Sequence, residues 1–238
     1  MMLGRLFLIP TPLANGPVDL VLPDGTLSVI RQLEIFIVEE VRTARRFLKA
    51  AGTIKKIDDL TFLIFNEHSE STNLTHYLDL ALEGKDIGLL SEAGLPCIAD
   101  PGSAIVAQAH NLGIPVVPLT GPSSLMLALM ASGFNGQHFA FVGYLPADRI
   151  NRTRRIKELE ETIRKKKQTQ LFIETPYRNM QLFEPLMSNC YDETLLCIAA
   201  NITGEKGLIT TKSIREWKKT RPEIHKIPAL FLLYSNFQ

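Results

Sequence analysis

Paired glycines, paired cysteines, long apolar runs and an excess of one charge are all missing from this sequence. No two of its 15 glycines stand two residues apart, and none precedes Lys-Ser or Lys-Thr. That argues against the common dinucleotide and ATP cradles, which converge glycine N–H groups on a phosphate and often add a lysine. Cys97, Cys190 and Cys197 form no CxxC pair and no zinc spacing, and their odd number argues against a disulfide framework. A reduced, cytoplasmic protein is expected. The apolar stretch in "MMLGRLFLIPTPLANG" ends at prolines, too short for a signal peptide's apolar region or a membrane span. With 26 Lys and Arg against 25 Asp and Glu, the formal net charge is +1, so only local patches can support a nucleic-acid contact. His76, His110, His138 and His225 show no ligand spacing, and no metal site is expected.

What is present is a strong alternation. Apolar runs of strand character recur at "LFLIP", "EIFIV", "TFLIF", "DIGLL", "IPVVPL", "FAFVGYL", "TQLFIE", "TLLCIAA", "GLITT" and "IPALFLLY". Between them, "EVRTARRFLKAAG", "STNLTHYLDLALEG" and "SAIVAQAHNLG" have helical period and stop on Gly52, Gly84 and Gly113. Strands that are apolar throughout imply a largely parallel α/β sheet covered on both faces. The rhythm changes at "YLPADRINR", predicting domains at 1–145 and 146–238, the second with closer-spaced, antiparallel strands.

The loop after "DIGLL" holds two glycines, two prolines, Glu92 and Asp100, with no lysine or arginine from 91 to 102. Ligands of parallel sheets bind beyond the carboxyl ends of the strands. An acidic, glycine-containing loop there suits a ligand with hydroxyls, an amine or a cationic centre and no phosphate, as in S-adenosylmethionine. The competing reading is a surface turn shaped by Gly94, Pro96, Pro101 and Gly102, with Asp100 capping the next helix.

"SEAGLPCIADPG" resembles the S-D-A-G-T-P-x-I-x-D-P-G stretch of the tetrapyrrole methylase superfamily, in its branch of ribosomal RNA small-subunit methyltransferase I. In the same order, "LFLIPTPLANG", "VEEVRTARRFL", "FNEHSE", "VVPLTGPSSLMLALMASG", "FAFVGYLP" and "LFIETPYR" resemble that branch's other motifs. The resemblance implies a two-domain α/β homodimer, with a mostly parallel N-terminal sheet, a mixed C-terminal sheet and S-adenosylmethionine in a cleft between them. It implies cofactor contacts at Pro12, Ser91, Glu92, Ala93, Gly94, Ile98, Ser123, Ser124, Glu174, Ile202 and Ala229.

The sequence departs from the family in three places. Val38-Glu39-Glu40-Val41-Arg42 stands for A-E-D-T-R, and "PVDLVLPDGTLSVIRQ" is longer than the expected segment. Ala199 to Gly204 replaces A-R-E-L-T-K and so removes an arginine, a glutamate and a lysine.

Methyl transfer to a ribose hydroxyl gains from alignment and from a base. Glu40, Glu92 and His68 are the candidate bases; Arg42 and Arg178 could hold an acceptor phosphate. The catalytic set is therefore Glu40, Arg42, His68 and Arg178. "DRINRTRRIKELEETIRKKK" offers Arg149, Arg152, Arg154 and Arg155 as an RNA strip, with more cations from Arg164 to Lys167. A solvated face with Arg154–Glu158 and Lys157–Glu160 or Glu161 pairs is the alternative. "SSLMLALMASGF" reads as core or dimer interface. The expected activity is S-adenosylmethionine-dependent methylation of a ribosomal RNA 2′-hydroxyl. A tetrapyrrole-type small-molecule methylase and a non-catalytic cofactor- or ribosome-binding protein remain open.

Overall fold

The computed structural model describes residues 2–66, 68–69 and 74–235. It divides into two compact units, Met1–Ser123 and Ser124–Gln238.

The first unit contains β1 (Leu6–Ile9), α1 (Asp24–Gln32), β2 (Ile35–Val38), α2 (Val41–Ala51), β3 (Thr61–Ile64), α3 (Asp79–Leu82), β4 (Ile87–Leu90), α4 (Ser103–Asn111) and β5 (Val116–Pro118). Its sheet runs β3-β2-β4-β1-β5, with every pairing parallel. All four residues of β2 and of β4 are buried. Along β2, Phe36 and Val38 join the core with Leu27, Ile30 and Leu48, while Ile35 and Ile37 join the core with Leu78 and Ile105. Both faces are thus covered, which is why these strands are continuously apolar. Helix α2 ends where Gly52 turns left-handed (φ 78). The helix expected over "STNLTHYLDLALEG" is reduced, among its described residues, to a 3-10 turn at Thr75–Tyr77 and the single turn of α3. Residues 71–73 of that segment lie outside the described residues. Thr, His and Tyr favour helix weakly, and Leu78 leaves helical geometry at φ −113, ψ 0.

The second unit contains α5 (Ser124–Ser132), β6 (Phe139–Tyr144), α6 (Arg149–Lys166), β7 (Thr169–Ile173), α7 (Asn179–Asn189), β8 (Leu195–Ala200), β9 (Leu208–Ser213), α8 (Ile214–Trp217) and β10 (Ala229–Tyr234). Its sheet runs β6-β7-β10-β8-β9; β6 and β7 are parallel, the other pairs antiparallel. A parallel first sheet and a mixed second one match the expected fold. Ile156, Leu159 and Ile163 of α6 pack with Leu182, Phe183 and Leu186 of α7 against Phe172 and Phe231, whose rings stack at 5.8 Å. The division falls earlier than 145/146 because α5 packs on β9 and β10, and β6 pairs with β7.

Glu160 of α6 is buried at 3 % exposure, with Oε2 accepting the Thr194 hydroxyl at 3.0 Å. Burial raises its pKa, offset in part by Thr194, the Cys190 thiol and the Tyr191 amide. A folded-state pKa above the unfolded one means the native chain holds the proton more tightly. Stability is therefore full below the unfolded value and is lost as pH rises through the raised one. Glu160→Gln is expected to match the parent protein in urea unfolding near pH 4 and to exceed it in midpoint at about pH 7.

Candidate functional site

Because β4 lies between β2 and β1, the loops leaving these three strands are neighbours at the sheet's carboxyl edge. The loops after β1 and β4 are joined by an isolated bridge. Thr11 N–H donates to Gly94 O at 2.9 Å and Gly94 N–H to Thr11 O at 3.1 Å. The Thr11 hydroxyl reaches Ser91 O at 3.3 Å, and the Ser91 hydroxyl reaches Gly94 O at 3.3 Å. Thr11 and Ser91 are buried, whereas Glu92, Ala93 and Ile98 are exposed and Pro12 is half-buried.

The loop after β2 closes on the same edge. Glu40 caps α2, its carboxylate accepting Arg42 N–H at 3.0 Å. Thr43 in the first turn sets its hydroxyl 2.7 Å from Glu92 Oε1 and 2.9 Å from Glu40 O. Glu40, Arg42, Thr43 and Glu92 are thereby brought together. His68 follows β3 and is exposed, its N–H on Asn66 Oδ1 at 3.0 Å. Ser123 ends the segment after β5, where Thr120 O accepts the Thr26 hydroxyl at 2.8 Å.

Asp100 does not cap α4; Gly102 occupies that position without a side-chain bond. Its carboxylate accepts Cys97 N–H at 2.9 Å and Gly102 N–H at 2.8 Å, tying down a loop in which Cys97 (φ 68) and Ala99 (φ 62) are left-handed. Burial raises the Asp100 pKa, and the two amides offset part of the rise. Burial and the Asp100 charge push the Cys97 thiol up to about 11, so it is no thiolate nucleophile at neutral pH.

In the second unit, Glu174 follows β7 with its side chain fully buried (0 % exposed). Oε1 accepts Arg178 Nη2 at 2.7 Å, Arg178 Nε at 3.0 Å and Thr175 N–H at 2.7 Å; Oε2 has no partner among the described residues. Register pairs Ala229 with Ala200 and Leu230 with Ile173, so Glu174, Ile202 and Ala229 gather at one end of this sheet. The turn that replaces the family's charged motif is tight: Asn201 (φ 49) and Thr203 (φ 67) are left-handed. A Cβ on Gly204 would lie 2.4 Å from the Asn201 amide nitrogen, so a lysine at 204 fits only if Asn201 moves.

The basic strip needs correction. Arg152 is buried at 9 % exposure, packed into the unit rather than offered to RNA. Arg154 donates to Asn151 at 2.8 Å and pairs with Glu158 at 3.9 Å; Arg155 pairs with Glu158 at 3.0 Å. Of the four, Arg149 is exposed with no ion pair among the described residues. The Lys157 pairs do not form, since Glu160 bonds Thr194 and Glu161 bonds Lys165. Helix α5, beginning at half-buried Ser124, buries Ala128 and Leu129 and exposes Met126 and Met130. No cluster of three or more His, Cys, Asp or Glu suited to a metal occurs among the described residues.

Thr43 and Asn179 were not expected in the site from sequence. Thr43 acts across a strand order that no local pattern encodes. Asn179 is fully buried, and its amide donates to Ile224 O at 2.9 Å and Ile227 O at 2.7 Å, anchoring the segment before β10. Gly94 is left-handed (φ +79), with an added Cβ 3.0 Å from Leu13 Cδ2. Gly94→Ala is expected to lower unfolding free energy by about 1–2 kcal/mol, read from the urea midpoint.

The family model for tetrapyrrole (corrin/porphyrin) methylases matches residues 19–217. Ribosomal RNA small subunit methyltransferase I of Halalkalibacterium halodurans is 33% identical over 178 residues, 74% of this chain and 56% of the relative. The Haemophilus influenzae protein of that name is 31% identical over 220 residues, 90% of this chain and 72% of the relative. The chain thus spans little more than half the length of the first relative and under three-quarters of the second. The crystal structure of the methyltransferase CobJ superposes with a TM-score of 0.64 at 21% identity, covering 98% of this chain and 95% of that one. Its contribution is to the fold alone. Ordered motifs, the parallel and mixed sheets, and a match over most of the sequence lead to one conclusion: the chain belongs to the tetrapyrrole (corrin/porphyrin) methylase family.

Proposed function

We propose that this protein is an S-adenosylmethionine-dependent methyltransferase acting on RNA, at the ribose 2′-hydroxyl of a ribosomal nucleotide. The observation that carries this reading is the carboxyl edge of the first sheet. Its loops present exposed Glu92, Ala93 and Ile98 but no cation from 91 to 102, and the Thr43 hydroxyl bonds the Glu92 carboxylate. The 91–102 loop suits hydroxyls, an amine and a sulfonium, and by itself disfavours a phosphate.

The donor set fits the cofactor. In the first unit, Pro12, Ser91, Glu92, Ala93, Gly94, Ile98 and Ser123 are proposed contacts. In the second they are Ser124, Ile202, Ala229 and Glu174, whose Oε2, without a partner among the described residues, can accept a hydrogen bond from a hydroxyl or amine. When bound, S-adenosylmethionine supplies an electrophilic methyl carbon on a cationic sulfur. The chain's own work is to align the acceptor and receive its proton. Glu40, Glu92 and His68 are the proposed bases, and Arg42 is the proposed phosphate contact. Arg178 shares its charge with Glu174 at 2.7 Å, which leaves it a weaker anchor than a free guanidinium.

The names of the similar relatives support a ribosomal RNA acceptor. A cytoplasmic homodimer is the proposed setting; no described helix is long and apolar enough to cross a membrane. A tetrapyrrole-type small-molecule substrate is the second reading, favoured by the uncharged turn at Ala200–Gly204.

Calorimetric titration tests the cofactor. S-adenosylmethionine and S-adenosylhomocysteine are expected to bind and ATP and NAD not to; equal binding of ATP would sink the phosphate-free reading. Radiolabelled methyl should then pass to unmodified 16S ribosomal RNA and not to a precorrin panel, and the reverse outcome would establish the second reading. Glu92→Ala is expected to reduce transfer by roughly 10²-fold, the scale of a lost acid–base group.

A further inference from the structure

We propose that the C-terminal end of α6, with Tyr191, is an RNA-docking platform separate from the proposed methyl-transfer site; this rests on the RNA reading above. Arg164, Lys165, Lys166 and Lys167 are all exposed. Lys165 pairs with Glu161 at 2.5 Å, but among the described residues no carboxylate pairs with Lys166 or Lys167. The acids beside Tyr191 are engaged elsewhere: Asp192 by Lys218 at 2.5 Å and Glu193 by Arg215 at 2.5 Å. The Arg164 guanidinium lies 5.3 Å from the centroid of the Tyr191 ring and donates to its hydroxyl at 3.3 Å. Tyr191 is 52% exposed.

The helix dipole rewards cations in the last turn, yet it does not account for Lys167. This residue caps α6 in the left-handed region, φ 50, ψ 39, where glycine is the favoured occupant. A lysine there adds backbone strain at a position that carries the fourth exposed cation of this helix end. His138 braces the same turn, with Nδ1 3.1 Å from Lys166 O and Nε2 3.0 Å from the Gln168 amide.

Exposed ammonium groups on the helix turn whose guanidinium lies over an exposed aromatic residue fit single-stranded RNA, whose phosphates take the cations and whose bases stack. An acidic peptide would use the charges but not the ring. The platform sits where β7 and β8 begin, and Glu174 and Ile202 sit where they end. A five-residue strand, β7, separates the two ends, about 17 Å at the usual rise. RNA would thus be gripped a strand's length from the proposed contacts of the second unit. The expected contact moves away from Arg149–Arg155, where Arg152 is buried and Arg154 and Arg155 are paired.

The test is binding of the full chain to a labelled single-stranded RNA oligonucleotide across a salt series. Combined Arg164→Ala, Lys166→Ala and Lys167→Ala should weaken binding at least tenfold and reduce the log–log salt slope by about 2, since each phosphate neutralised on a single strand contributes roughly 0.7. Tyr191→Ala should weaken binding with the slope unchanged. Lys167→Gly should raise the thermal unfolding midpoint while weakening RNA binding, a combination that a purely structural cap would not give. If the parent protein binds RNA and the triple variant binds equally well, the platform is wrong and the RNA reading stands. If the parent binds no RNA, both fall. Displacement by poly-glutamate as effective as by RNA, with Tyr191→Ala silent, would also overturn the platform in favour of an acidic protein partner.

Discussion

Two backbone hydrogen bonds between Thr11 and Gly94 hold the carboxyl edge of the first sheet together. They fasten the loop leaving β1 to the loop leaving β4, and the buried Ser91 and Thr11 hydroxyls close the same junction. With the loop fixed there, Glu92 lies where the first turn of α2 can reach it through Thr43. The candidate site is therefore a property of backbone geometry first and of side chains second. Its acids are held in place by amides and hydroxyls, not by cations, and that keeps the edge suited to a ligand that brings its own positive charge.

Much of this was legible in the sequence. Every apolar run marked as a strand is one: β2, β4, β7, β8 and β10 are buried along most of their length and announce themselves without periodicity, and β3, β5, β6 and β9 are apolar enough to show although part-exposed. Strand order was not legible: nothing local says that β4 inserts between β2 and β1, so the Thr43–Glu92 bond across 49 residues could not be foreseen. Helix α5 is apolar enough to belong to either unit, and only its packing on β9 and β10 assigns it. The burial of Arg152 did leave a signal. It shares a helical face with Ile156, Leu159 and Ile163, a spacing that the surrounding basic run obscures.

Buried side-chain atoms without a partner among the described residues are Arg152 Nε, Glu160 Oε1, Glu174 Oε2 and Asn179 Oδ1, all in the second unit. Each such atom opposes folding by about 1–3 kcal/mol. The aromatic and aliphatic core around Phe172, Phe231 and Trp217 offsets them. Two of the four, on Glu174 and Asn179, flank the end of the sheet where the proposed cofactor contacts gather. A surplus acceptor there is available to a ligand in a way that a fully satisfied network would not be.

The order of the second sheet has a consequence for how the protein is made. β10 lies between β7 and β8, yet it follows both in the chain. As the polypeptide leaves the ribosome, β7 and β8 emerge before the strand that separates them, each with an unpaired edge facing solvent. The first unit carries the same debt within itself, since β4 lies between β2 and β1 and follows both in the chain. Translation speed between Ala200 and Ala229 thus governs how long those edges stay open to wrong pairing, a kinetic hazard created by topology alone.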